Sequence, residues 1–210
     1  MLIFKALSAL LSYPTAEMRA ALPEIAEVIR SSPLIAQAQQ QDLLRLIDEI
    51  GRGDLLAAEE RYVDLFDRGR ALSLHLFEHL HGESRDRGAA MVALKQLYER
   101  AGFELSSHEL PDYLPVVLEY LSCRGMSEAR DMLADCAHIL TAIGRSLLAR
   151  QSSYAAPLQA LIVMAGEAPI DPGKIPPVKE RLEAIDRNWA ERPAFEDARI
   201  TAPAAARTEA

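Results

Sequence analysis

The residues best suited to chemistry lie in one short segment, at His75, Glu78 and His79. They match H-x-x-E-H, the inverted form of a zinc-peptidase motif. Residues four apart lie on one face of a helix, so both imidazoles could hold zinc while Glu78 activates a bound water. A catalytic zinc needs a third protein ligand, and neither His108 nor His138 stands in a context that marks it as one. Zinc hydrolysis therefore stays an open alternative that requires stoichiometric bound metal.

Nucleophilic and nucleotide-binding chemistry have weaker support in this sequence. Its two cysteines, Cys123 and Cys136, have no histidine at a useful spacing, and there is no G-x-S-x-G motif. Both cysteines lie in apolar helical patterns, which predicts reduced side chains in the core. The segment 51–53 reads Gly-Arg-Gly, but no strand precedes it, so it is interpreted as a plain loop.

The elements that must position these residues are predicted to be helices throughout. Alternation of apolar and polar residues at period two is scarce, and apolar residues recur at helical spacing. The predicted helices span residues 2–11, 15–31 with a kink or restart at Pro23, 33–50, 54–66, 84–101, 106–121 with a kink near Leu114, 127–148, 153–164 and 177–189. Residues 71–80 are interpreted as either helix or loop. The capping signals include Ser32 before Pro33, and Asp54.

The fold class that follows is all-α, a single globular domain of about nine to eleven helices. We expect that domain to occupy residues 1–192. Beyond Pro193 the sequence becomes rich in alanine and polar residues, which predicts a disordered tail over residues 193–210.

Composition narrows the classes of function. The chain has 210 residues, a net charge of −8 and 26% charged residues, and half of its residues are hydrophobic. This acidic balance disfavours broad contact with nucleic acid or anionic lipid, since both require excess Lys and Arg. No run approaches 18 apolar residues, so we expect no membrane span and a cytoplasmic location.

An interaction surface is predicted around residues 72–88. Apolar residues there could form the wall of a groove, and alternating charges over residues 82–88 could form its rim, as in domains that bind an amphipathic helix. The alternative is a capped, solvated helix terminus held by local ion pairs. From the residues alone, a soluble helical interaction module is the interpretation that follows.

Three segments together carry a resemblance to a known family. Residues 62–70 read YVDLFDRGR, residues 74–88 read LHLFEHLHGESRDRG, and residues 109–121 read ELPDYLPVVLEYL. This pattern resembles the NarJ family of respiratory nitrate reductase assembly chaperones, within a wider group of molybdoenzyme chaperones that includes TorD and DmsD. In the family pattern a histidine at position 75 is not required, so the resemblance makes the zinc motif a coincidence of one position.

The resemblance implies a TorD/NarJ-like fold and no catalysis. It implies binding to the N-terminus of the nitrate reductase catalytic α-subunit, within the apo complex of α and β subunits. The chaperone would keep this client competent for insertion of the molybdenum bis-guanine dinucleotide cofactor, delay its membrane attachment and be absent from the final enzyme. No cofactor of its own is implied, and a monomer is favoured.

The residues expected to bind the client combine a groove, an acidic rim and loop-holding arginines. The groove would be lined by Leu65, Phe66, Leu76, Phe77, Leu80, Leu114 and Leu118, beside Tyr62. Basic client residues would meet Asp64, Asp67, Glu78, Asp86, Asp112 and Glu119, while Arg68, Arg70, Arg85 and Arg87 hold the loops. His79 and His81 ordinarily titrate near neutrality, which predicts that binding depends on pH.

Overall fold

Helices form nearly all regular structure in the described part of the chain, which is residues 1–81, 86–105 and 109–175 of a computed structural model. The ten described α-helices are α1 (Leu2–Leu11), α2 (Ala16–Ala20), α3 (Leu22–Ser31), α4 (Gln37–Gly51), α5 (Leu55–Phe66), α6 (Leu76–His81), α7 (Asp86–Arg100), α8 (Leu114–Ser122), α9 (Met126–Ala149) and α10 (Ala155–Met164). Within these residues the β structure is one isolated bridge, between His75 and Tyr113. The all-α prediction is confirmed.

The core is built around α8, which is buried along nearly its whole surface. Its residues from Leu114 to Leu121 are buried except Glu119, and α1 packs along it. The Ser8 hydroxyl of α1 donates to the Pro115 carbonyl over 2.8 Å, which fixes the two helices together. Helices α9 and α10 pack against each other, and α4 packs against both α3 and α10.

Several predicted boundaries are confirmed. Thr15 caps α2 by accepting a hydrogen bond from the Met18 amide, and Pro23 restarts the chain in the first turn of α3. Asp54 is the residue before α5, although its side chain does not make the predicted capping hydrogen bond, and Gly102 follows α7 with a φ of 71°. That left-handed conformation is one that glycine adopts without steric cost.

Three predicted features are wrong. Ser32-Pro33 does not open a helix, because the Ser32 hydroxyl accepts from the Leu34 amide in a local turn, and α4 begins only at Gln37. No kink occurs near Leu114, because the helix starts there and Pro115 falls in the first turn, where a missing N–H breaks no helical bond. Cys123 is not in the core, since it lies exposed at the end of α8.

Residues 71–80, predicted as helix or loop, are both. A 3-10 turn over Arg70–Leu72 leads into an extended stretch and then α6. The predicted helix 177–189 and the tail 193–210 lie outside the described residues, as does the predicted start at Ser84 of the helix 84–101. Residues 1–175 form one compact unit.

The 24-residue helix α9 is, within the described ranges, the one element long and apolar enough to cross a membrane by length and composition. Half of that apolar window is buried inside the protein, including Leu133, Leu140 and Leu147. A buried core helix passes the same test, and the contacts of α9 with α10 account for its apolar stripe.

Candidate functional site

A cleft of about 450 Å³ opens where α5 ends and α6 begins. It lies over the sequence segment in which the functional residues were expected. Its lining is largely polar and consists of Phe66, Asp67, Arg68, Gly69, Arg70, Ser73, His75, Glu78 and Arg87. The described cleft therefore suits charged or hydrogen-bonding groups better than an apolar helix face.

Asp112 organises the floor of this region, although it is fully buried. Its Oδ2 accepts from the Phe77 amide over 3.0 Å, and its Oδ1 lies 3.3 Å from Nδ1 of His75. Its backbone carbonyl accepts from the Leu76 amide, so one residue satisfies two donors in the first turn of α6. Asp112 thus positions α6 and does not face a partner.

Glu78 and two arginines fix the opposite wall. Arg70 donates from Nε to the Glu78 carbonyl over 3.1 Å, and Arg87 pairs with the Glu78 carboxylate over 3.3 Å. Burial raises the pKa of Glu78, but a hydrogen bond from Ser73 and the charges of His75 and Arg87 outweigh it, so the net pKa is lowered. The predicted role of Arg70 and Arg87 in holding the loops agrees with these contacts.

An aromatic cluster lies behind the cleft. Tyr62 donates its hydroxyl to the Leu11 carbonyl over 2.7 Å and shares a 2.8 Å hydrogen bond with the Tyr113 hydroxyl. Its ring centroid lies 4.8 Å from Phe66 and 5.7 Å from Tyr13. These contacts join α5, the end of α1 and the bridge segment before α8.

The predicted apolar groove is not open in this structure. Leu114 and Leu118 have no exposed surface, while Phe66 and Leu76 are 6% exposed. The reason is that these four side chains belong to the buried hydrophobic core. The residues that remain partly or fully exposed are Leu65, Phe77 and Leu80. The accessible apolar surface is therefore the rim of the predicted groove.

The charged residues predicted to contact the client also differ in exposure, and one of them is buried. Asp112 is corrected from a client contact to a buried structural residue. Asp64, Asp67, Asp86 and Glu119 are exposed, and Glu78, His79 and Arg87 are partly exposed. Arg85 and the side chain of His81 lie outside the described residues.

The fold does not place the residues of the zinc motif together on one helix face. His75 precedes α6 and stacks on Tyr113 with ring centroids 5.1 Å apart, while His79 donates from Nε2 to the Ser73 carbonyl over 2.8 Å. The helical-face argument for pairing the two imidazoles therefore does not apply. Among the described residues there is no group of three or more His, Cys, Asp or Glu side chains placed to hold a metal.

Sequence reasoning missed Tyr13, Ser73 and Tyr113 as parts of this region. Tyr13 lies 49 positions before Tyr62 in the chain, and no local pattern links them. A weak signal was available, because Tyr113 lies inside the third segment that carries the family resemblance.

Comparison with known proteins identifies relatives that match most of the chain. The family model for the nitrate reductase delta subunit matches residues 14–160. An Escherichia coli (strain K12) protein, named nitrate reductase molybdenum cofactor assembly chaperone NarJ, is 42% identical over 193 residues, covering 88% of this chain and 80% of that protein. A Bacillus subtilis (strain 168) protein, also named for nitrate reductase molybdenum cofactor assembly, is 34% identical over 160 residues, covering 76% of this chain and 85% of its own length.

A solved structure has the same fold. It is a protein from Archaeoglobus fulgidus ascribed to redox enzyme maturation, with a TM-score of 0.56 and 18% sequence identity. The likeness covers 78% of this chain and 92% of that one. At this identity the comparison supports the all-helical architecture alone.

Proposed function

The chain belongs to the nitrate reductase delta subunit family, and from that membership we propose that it is an assembly chaperone for a respiratory nitrate reductase. The client is the N-terminal segment of the catalytic α-subunit, within the apo complex with the β-subunit. The chaperone keeps this client open to insertion of the molybdenum cofactor and delays its membrane attachment. It acts in the cytoplasm, holds no cofactor itself and is absent from the finished enzyme.

The observation that carries the proposal is 42% identity, over most of both chains, to a protein named for this role. The region that the family model matches, residues 14–160, includes the cleft and the three segments that led to the family. A non-catalytic role also fits the local geometry, since His75, Glu78 and His79 are each engaged in contacts within the protein.

The chemistry of the accessible surface indicates how a client is recognised. Exposed carboxylates at Asp64, Asp67 and Asp86 would attract a basic segment, while Phe77 and Leu80 offer apolar contacts beside them. A short amphipathic segment with basic and apolar side chains is complementary to such a surface.

We expect client binding to be reversible because of the same mixed charged and apolar surface. A chaperone must release its client, so a micromolar complex, about −8 kcal/mol, is the expected range. Folding a client segment on binding costs part of the contact energy. Because the apolar residues of the rim are only partly exposed, their burial adds only a modest free energy to client binding.

The test is calorimetric titration of the full chain with the N-terminal peptide of the nitrate reductase α-subunit from the same organism. We expect saturable one-to-one binding that a scrambled peptide does not reproduce. Phe77→Ala and Asp67→Lys should each weaken binding about tenfold, on the scale of one lost interface contact of about 1.4 kcal/mol. Asp131→Lys, an equal charge change at an exposed site on α9, is the matched control.

Other outcomes would replace the proposal. Equal binding of scrambled amphipathic peptides would indicate a generic helical binding module. Absence of heat, together with no competition by the full-length client, would exclude recognition of this segment. Stoichiometric zinc in protein purified without chelator would restore the hydrolase alternative.

A further inference from the structure

A second, smaller cavity of about 240 Å³ lies beside the main cleft. It is lined by Tyr13, Tyr62, Phe66, Asp67, Leu74, His75 and Tyr113. Pockets for drug-sized ligands usually span about 300–1,000 Å³, so this volume suits one side chain or a comparably small group. Tyr13 is 43% exposed and Asp67 is exposed, so a group can enter from solvent on that side.

The cavity offers aromatic rings more than free hydrogen-bonding groups. The hydroxyls of Tyr62 and Tyr113 bond to each other, and Tyr62 also donates to the Leu11 carbonyl. The rings of Tyr13 and Tyr62 meet at 81°, and those of His75 and Tyr113 lie 31° from parallel. These contacts hold several ring surfaces around one space before any ligand arrives.

Asp67 is the one carboxylate in the lining of this cavity. Burial is the largest cause that raises the pKa of Tyr13, Tyr62 and Tyr113; Glu59 adds to it at Tyr13 and Glu109 at Tyr113, and Asp67 makes a smaller contribution at all three. The influence of Asp67 on all three tyrosines agrees with its place in the cavity wall. A negative charge amid electron-rich ring faces is a surface that attracts cations.

The arginines nearby are engaged elsewhere. Arg68 pairs with Asp64 over 3.0 Å, Arg87 pairs with Glu78, and Arg70 donates to the Glu78 carbonyl. In the described parts of the chain, no Lys, Arg or His nitrogen lies within 4.0 Å of the Asp67 carboxylate. Asp67 is therefore available to a cation that comes from outside the chain.

We propose that this aromatic cavity binds one guanidinium or ammonium group, the side chain of a single basic residue of the client. The identification of the client rests on the proposed function, but the cation site is defined by the cavity alone. The rings supply cation–π attraction and Asp67 supplies an ion pair. An anion would meet the Asp67 charge, and a metal ion would find one carboxylate and few other ligands.

The first experiment tests the site without any client. N-acetyl-arginine methylamide is titrated into the full chain while the aromatic NMR resonances of Tyr13 are followed, and N-acetyl-citrulline methylamide is the uncharged control of nearly equal shape. Saturable shifts with the arginine compound alone are expected. Equal shifts with both compounds, or none with either, would overturn the proposal.

Variants then locate the bound cation. Tyr13→Leu should weaken binding of the arginine compound about three- to thirtyfold, the range of cation–π contacts from exposed to desolvated sites. Asp67→Asn removes the ion pair and should weaken binding by up to about fivefold. Tyr13→Phe keeps a ring and should retain more binding than Tyr13→Leu. Asp42→Asn, an equal charge change on α4 and away from the cavity, is the matched control. Thermal unfolding of each variant identifies any that fail to fold, and losses equal to that of the control would contradict the site.

The second experiment separates this proposal from the proposed function. Each basic residue of the α-subunit peptide is changed in turn to citrulline or norleucine, and binding to wild type and to Asp67→Asn is compared. One basic residue should lose its contribution in the Asp67→Asn background, as a double-mutant cycle detects. If the peptide binds and no residue is coupled to Asp67, the cation site is wrong while the chaperone role stands. If the arginine compound binds and the peptide does not, the client assignment is wrong while the cation site stands.

Discussion

Replacing Asp112 by alanine should destabilise the protein far more than the loss of one surface charge. The carboxylate is fully buried, accepts from the Phe77 amide over 3.0 Å and lies 3.3 Å from Nδ1 of His75. A hydrogen bond to a charged group contributes about 1.5–3 kcal/mol, and an amide left buried without a partner costs about 1–3 kcal/mol. Water entering the space that the side chain vacates offsets part of this loss, so we expect a net decrease of about 3 kcal/mol in unfolding free energy.

The assay is urea denaturation followed by circular dichroism, with the slope against denaturant compared between variants. At about 2–4 °C for each kcal/mol in a chain of this size, the melting temperature should fall by about 6–12 °C. Asp112→Asn keeps an acceptor for the Phe77 amide and should lose less than half as much. Asp131→Ala, at an exposed site on α9, should change stability by no more than about 0.5 kcal/mol.

A loss below about 1 kcal/mol for Asp112→Ala, with an unchanged denaturant slope, would refute this reasoning. It would mean that α6 does not depend on the buried carboxylate for its first turn. The same variant also tests whether α6 must be ordered for client binding, because peptide affinity should fall together with local stability.

Three further predictions follow from individual side chains. Tyr62→Phe removes a hydroxyl that donates to the buried Leu11 carbonyl, so urea denaturation should show a loss of about 1–3 kcal/mol; an unchanged midpoint would contradict that role. Cys123 is exposed, whereas burial raises the pKa of Cys136 to about 12, so a thiol reagent should modify one cysteine in the native protein and the second only after unfolding. Two fast-reacting thiols would place Cys136 at the surface. The net pKa of Glu78 lies below the ordinary 4.5, although burial opposes this shift. The stability that the ionised Glu78 carboxylate contributes is therefore complete above pH 4.5 and disappears as the pH falls through the lowered native pKa. The stability difference between wild type and Glu78→Gln should therefore shrink on acidification, and a difference that grew would reverse the assigned direction.

Much of the helical framework could be predicted because its signals are local. The apolar stripe of α9 recurs every three or four residues, Thr15 marks the start of α2 through its side-chain hydroxyl, and Asp54 and Gly102 mark helix ends by their positions in the chain. One error arose where two local signals competed. Ser32 and Pro33 are typical of a helix start, yet a serine hydroxyl serves a short turn equally well.

The candidate site was predictable only in part. The segment in which the sequence predicts client-binding residues also lines the cleft, from Phe66 to Arg87. Exposure could not be predicted in the same way. Asp112 and Asp67 are both acidic residues near turns, but one is fully buried beneath α6 and the other lies exposed beside Tyr13.

The sequence by itself determined the helical class, most helix positions and, through three segments, the family. Helix formation depends on residue type and on a period of 3.6, both of which are properties of neighbouring residues along the chain. Only the tertiary structure decided that Leu114 and Leu118 belong to the core and that Tyr13 joins Tyr62 and Tyr113 around a cavity. Those outcomes depend on which helix covers which face, and that is decided by the burial of apolar surface between segments far apart in the chain.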